Sequence, residues 1–188
     1  MSHMHPDDIR TLFSRAMSEL YRTEVPQYGA LCDLVARVNE QTLAGQPAQA
    51  ARLRREGQLD RLEVERHGAI RVGTPEELAT IGRLFGLMGM MPVGYYDLSV
   101  AGVPVHATAF RPVGDASLAH NPFRVFTSLL RLDLVQDPAL RARAAAILAQ
   151  RRIFTARCLA LLEQAERQGG LGAQDAREFV AELLQTFR

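Results

Sequence analysis

At 188 residues the chain holds one domain, or one compact domain with a helical extension, and 47% apolar against 23% charged residues is enough to bury a core. A net charge of +1 excludes a generally nucleic-acid-binding surface and an acidic one. All 22 basic residues are arginine, which a codon-usage bias in the source genome explains more simply than guanidinium chemistry.

Met1 to His5 reads as a disordered start, partly a cloning remnant, so His3 and His5 carry little weight as ligands. Pro6-Asp7-Asp8 opens a helix, and Ile9, Leu12, Phe13, Ala16, Met17 and Leu20 give it one apolar stripe. Val25-Pro26 interrupts it. A second helix is expected over about Gln27 to Leu43, with Leu31, Leu34, Val35 and Val38 inward. After Gly45-Gln46-Pro47 comes a short Arg-rich helix over about Ala48 to Glu56. The character changes near Leu62. A strand follows around His67, then Thr74-Pro75-Glu76-Glu77 as N-cap, first helical residue and capping box. Leu78, Ile81, Leu84, Phe85 and Met88 make the inner stripe of that helix, and Gly89 its C-terminal cap.

Pro92 to Ser99 and Val103 to Arg111 read as a hairpin turning at Ala101-Gly102, and Phe123 to Leu134 as a further strand. Helices then run from Asp137-Pro138 to about Gln150, from Ile153 to about Gln168, and, past Gly169-Gly170-Leu171-Gly172, from Ala173 to Phe187. The fold class is α+β, a central β-α-β-β-β unit flanked by N- and C-terminal helices. The segments are 1–60, helical; 61–136, the unit carrying the site; and 137–188, helical. Cys32 and Cys158 lie in apolar helical patterns and read as buried free thiols in a reducing compartment, with no disulfide framework or zinc spacing. No signal peptide or membrane-length apolar run is present, so a cytoplasmic protein is expected.

The chemistry centres on Glu65 to Thr74. Alternate strand residues share a face, so His67, Ala69 and Arg71 line up, with His67 and Arg71 roughly 13 Å apart along the strand and Ala69 leaving space between. His67 is either a hydrogen-bonded histidine at a strand end or a metal ligand. Arg71 is either salt-bridged to a glutamate or a bidentate clamp on a substrate carboxylate. Arg111, Arg124 and Arg131 repeat that ambiguity. His106 and Asp97 could join His67 as a metal trio, although His106 reads more readily as a hydrogen-bonded core residue. His120 is expected to be exposed. Tyr95 and Tyr96 are expected to pack, or to turn a hydroxyl to a polar pocket. Arg141, Arg143, Arg151, Arg152 and Arg157 read as a solvated helix face, without the interleaved aromatics of a nucleic-acid site.

Several stretches resemble the 2-oxoadipate dioxygenase/decarboxylase family, distantly similar to the vicinal-oxygen-chelate enzymes. They are FSRAM at Phe13, EVPQYG at Glu24, ERHGAIRVGT at Glu65, GMMPVGYYDLS at Gly89, VHATAFRP at Val105, PFRVFTSLLRL at Pro122 and the ending Thr186-Phe187-Arg188. The resemblance covers nearly the whole chain from about residue 8. It implies a half-barrel of the vicinal-oxygen-chelate kind and a mononuclear Fe(II) enzyme acting on 2-oxoadipate with O2, giving 2-hydroxyglutarate and CO2 in lysine breakdown. By motif position His67 is implied to be the first iron ligand, also touching substrate, and Arg71 the residue holding a substrate carboxylate. Family members are considerably longer, and the other two iron ligands lie beyond Arg188. The chain is therefore expected to be an N-terminal portion, inactive alone unless His106 substitutes. Ala107 stands where the family often has Ser, a minor departure. The partners implied are a 2-oxo dicarboxylic acid and O2, with no nucleic acid or membrane. Two other readings remain: a non-catalytic half-barrel that dimerises or binds a dicarboxylate, and a zinc or iron site built from His67, His106 and Asp97.

Overall fold

The structure, a computed structural model, describes residues 2–59, 62 and 67–188. Glu65 and Arg66 of the central motif, and the expected boundary at 60/61, lie outside the described residues. By compactness the chain divides into two units, Met1–Phe13 with Arg66–Arg188, and Ser14–Glu65.

The first unit is built on a four-stranded sheet, β1 (His67–Val72), β2 (Met91–Asp97), β3 (Val105–Arg111) and β4 (Arg124–Leu130), in the order β1-β4-β3-β2. β1 and β4 are parallel, whereas β4, β3 and β2 pair antiparallel. A parallel neighbour requires a crossover, which helix α4 (Pro75–Gly86) begins. Its start follows the expected capping: Thr74 Oγ1 accepts from Glu77 N at 3.2 Å behind Pro75. The Glu77 carboxylate reaches one residue further back, accepting from Gly73 N–H at 2.6 Å. Ile81, Leu84, Phe85 and Met88 are fully buried, as are Val72 and Val125, and Phe85 meets Phe110 edge-on at 5.3 Å. One face of the sheet therefore belongs to the core.

The expected β-α-β-β-β order stands, with shifted edges. β2 is an edge strand with a bulge between Pro92 and Gly94, where a proline costs no ladder bond. Tyr95 and Tyr96, expected to pack, remain 62% and 50% exposed because an edge strand has a neighbour on one side only. The hairpin turns through a 3-10 segment, Ser99–Ala101, ending at Gly102 with φ of +78°. A six-residue helix, α5 (Asp115–His120), separates β3 from β4, and the last expected strand stops at Leu130 before a 3-10 turn over Leu132–Leu134.

Helices α6 (Pro138–Gln150), α7 (Ala156–Gln168) and α8 (Ala173–Leu184) complete this unit. α7 starts three residues later than expected because Thr155 caps it, its Oγ1 accepting from Cys158 N at 2.9 Å. Gly169 and Gly170 close it at positive φ, and Arg157 pairs with Glu178 through two bonds of 2.8 and 2.7 Å. Arg151 is not a solvated helix residue: it donates to Arg71 O at 2.9 Å and lies 3.5 Å from the buried Glu77 carboxylate. Nor is the N-terminus without order. Met4 N donates to Leu171 O at 2.8 Å, and His5 Nδ1 accepts from Asp7 N at the start of α1 (Pro6–Glu24).

In the second unit, Tyr21 on α1 meets Tyr28 on α2 (Pro26–Gly45), with α3 (Pro47–Arg55) following. Leu31, Leu34, Val35 and Val38, expected inward, are 41–54% exposed. Their spacing makes an apolar face but says nothing about what covers it.

Candidate functional site

β1 alternates between exposed and buried along its whole length, which leaves His67, Ala69 and Arg71 on the face turned away from α4. Strand register carries that face across the sheet. His67 stands beside Arg124, Ala69 beside Phe126 and Arg71 beside Ser128. Phe126 and Ser128 then stand beside Ala109 and Ala107, and Ala107 beside Tyr96. The Tyr96 and Phe126 rings lie 6.2 Å apart on this face. The inner strands carry small residues on this face: Ala69 on β1 and Ser128 on β4, and Ala107 and Ala109 on β3, which lies between the two ring-bearing strands.

The charge on this face is one-sided. Arg71, Arg124 and Arg111, next after Phe110 on β3, all belong to it, and none has a carboxylate partner among the described residues. Arg124 Nη2 bonds His67 Nε2, and Arg111 Nη1 donates to Pro112 O at 2.7 Å. Guanidinium only donates, so His67 Nε2 is the acceptor, the nitrogen whose lone pair could ligate a metal. Strands β1, β3 and β4 contain no acidic residue, and Asp97 of β2 lies on the other face. Some arginines elsewhere are matched to carboxylates, as with Arg83 and Glu166 at 2.8 and 2.6 Å. Arg71 is exposed, so the salt bridge that a buried guanidinium would have needed is not required.

His106 belongs to the opposite face. Its register partners are Asp97 and Leu129, in line with the buried Val72 rather than with Arg71. Its Nδ1 accepts from Arg131 Nη1 at 2.6 Å and also meets the Tyr95 hydroxyl, while Nε2 is 3.3 Å from Asp97 Oδ1. Bonds from Ser99 hold the Asp97 carboxyl below the ordinary carboxylate range, and the Arg131 guanidinium does the same for Asp133. This network binds the β2–β3 hairpin to the end of β4, which is the hydrogen-bonded reading of His106. It also removes the proposed metal trio. His67 and His106 point from opposite faces, two strands apart, and about 17 Å apart along the strands. Ligands of one metal ion lie about 2 Å from it. Among the described residues no group of three His, Cys, Asp or Glu could hold a metal.

His120 is exposed as expected, 3.4 Å from Asp8. Clefts of about 400 and 330 Å3 lie around Thr74, Leu148 and Ala149, at the junction of α4 and α6; neither includes His67 or Arg71. No helix among the described residues is long and apolar enough to cross a membrane. Arg124 and Arg111 were visible in the sequence as strand arginines. Their convergence with Arg71 on one face was not, because it depends on pairing register.

A family model described as 2-oxoadipate dioxygenase/decarboxylase matches residues 13–188. The 2-oxoadipate dioxygenase/decarboxylase of Pseudomonas putida is 62% identical over 183 residues, 97% of this chain and 39% of the relative. That of Mycobacterium bovis is 45% identical over 95% of this chain and 43% of its own length. The crystal structure of the hydroxyglutarate synthase from P. putida in complex with 2-oxoadipate superposes with a TM-score of 0.95 at 61% identity, over 100% of this chain and 42% of that one. A glyoxalase superfamily protein from Ralstonia eutropha, at 23% identity and a TM-score of 0.50, shares the fold over 64% of the chain. The chain spans about two fifths of the length of the curated relatives it matches.

Proposed function

The chain belongs to the 2-oxoadipate dioxygenase/decarboxylase family, and we propose that the protein to which it contributes converts 2-oxoadipate and O2 into 2-hydroxyglutarate and CO2 at Fe(II), in lysine breakdown in the cytoplasm. The observation that carries this reading is the exposed placement of His67 and Arg71 together on β1, on a face whose three arginines have no carboxylate partner among the described residues. A dianionic substrate matches that charge.

The reaction balances as a six-carbon oxo-diacid plus O2 giving a five-carbon hydroxy-diacid plus CO2. The C1–C2 bond breaks, C2 becomes a carboxylate, and the second oxygen atom forms a hydroxyl on the adjacent carbon. His67 fits as one ligand, since its Nε2 is an imidazole acceptor on an open face and imidazole suits iron. The remaining ligands must come from outside the described residues. Bound iron would supply substrate chelation and O2 activation.

The chain's own residues bind and orient. Arg71 offers a planar fork to the distal carboxylate, with its backbone held by Arg151. Ala69 and Ser128, small residues on β1 and β4, leave room for the substrate's methylene chain. Tyr96 and Phe126 give that chain an apolar wall.

Oxygen uptake tests the reading. A protein of the relatives' length, given Fe(II) and 2-oxoadipate, should consume O2 and release CO2 in equal amounts, whereas the 188-residue chain alone should consume none. His67→Ala should abolish uptake and lower iron content, and Arg71→Gln should raise KM for 2-oxoadipate. Binding of 2-oxoadipate with no uptake by the longer protein would instead make this face a non-catalytic dicarboxylate-binding module.

A further inference from the structure

Resting on that reading, we propose that Arg124 is a second carboxylate-binding residue, one that receives the 2-oxo acid end of the substrate while Arg71 receives the far end. Arg124 stands directly beside His67 in the parallel register, and its guanidinium bonds His67 Nε2. That nitrogen has one lone pair. It can accept from Arg124 or ligate a metal, but it cannot do both.

If His67 Nε2 held a metal, the Arg124 guanidinium would have to leave that nitrogen and would stand near a dication. Two positive groups at such a distance repel unless an anion lies between them. Among the described residues no acidic side chain of this face can serve, because β1, β3 and β4 contain none. Arg111, in line with Arg124, adds a further positive charge. The group that would fit there is the carboxylate of a 2-oxo acid, held by Arg124.

The two arginines then measure the ligand. Arg124 stands at the His67 end of the face, and Arg71 stands four residue pairs further along, beside Ser128. A dicarboxylate spans both, and a monocarboxylic 2-oxo acid engages Arg124 alone. Arg124 would thus supply affinity for the 2-oxo acid group in any ligand, and Arg71 would supply selectivity for a second carboxylate.

The test is anaerobic calorimetry on the Fe(II)-loaded protein of the relatives' length, where turnover is blocked, with 2-oxoadipate and 2-oxohexanoate as ligands. A hydrogen bond to a charged group predicts that Arg124→Gln weakens both ligands by about 10- to 100-fold. The preference for 2-oxoadipate over 2-oxohexanoate should survive that change. Arg71→Gln should collapse the preference and leave 2-oxohexanoate binding unchanged. Arg124→Lys should recover part of the affinity, and iron content should be undiminished in Arg124→Gln. Unchanged binding in Arg124→Gln would overturn the proposal, and so would loss of iron from it, since a residue that only orients His67 would act that way. If His67→Ala and Arg71→Gln also bind both ligands as the parent does, the functional reading of the whole face fails instead.

Discussion

Arg10 and Asp7, one turn apart on α1, form a 2.7 Å ion pair with the guanidinium fully buried. The same guanidinium donates to Met88 O at 2.7 Å, and to Asn121 O and Ser117 O at 2.9 Å each. Three chain segments are thereby fixed to one side chain: the end of α4, helix α5, and the entry to β4. A buried charge is tolerated because four of the five N–H donors point at an oxygen.

Arg10→Met should therefore be among the most destabilising single changes in the first unit. It leaves a buried carboxylate and three carbonyls without their donor, and a loss of about 3–5 kcal/mol is expected. Chemical denaturation compared with Arg10→Lys checks this. Lys can keep the charge but cannot reach four acceptors in one plane, so it should rescue only in part.

Asp7 gives the stability a pH dependence of defined sign. Burial raises its pKa, but bonds from Arg10 and Ser117 outweigh that and hold it below its ordinary value of 3.8. With the folded value depressed, the ionised carboxylate stabilises the protein above the unfolded pKa. That stabilisation is lost as pH falls through the folded value. Melting temperatures at pH 7 and pH 3 should fall further for the parent than for Asp7→Asn; equal losses would show that Asp7 is not the responsible group.

His106→Ala should leave iron content unchanged in a protein of the relatives' length. His106 lies on the opposite face from His67 and is engaged by Arg131, Tyr95 and Asp97. Thermal stability should fall modestly, by about 1–2 kcal/mol for a lost polar network. Metal analysis of the purified variant decides the matter.

The two cysteines should react differently. Burial pushes the Cys158 thiol up to about 12, and the side chain is fully enclosed at the start of α7. Cys32 is half-buried on α2. A disulfide reagent at pH 8 should modify one thiol of the native chain quickly, and Cys158 only on unfolding. Rapid modification of both would contradict the packing of α7.

The sequence determined the local elements because their causes are local. Thr74, Pro75 and Glu77 start α4 through neighbouring atoms, and the period of two through His67, Ala69 and Arg71 places those residues on one face of a strand. It also carried the family motifs. Its failures share one cause, dependence on what lies across space. Leu31, Leu34, Val35 and Val38 are apolar at helical spacing yet exposed, and Arg10, which no local pattern singles out, is buried. Tertiary structure alone decided that β4 lies between β1 and β3. That register sets Arg124 beside His67 and sends His106 to the other side, because adjacent residues on a strand point oppositely and one step of pairing decides which face each joins.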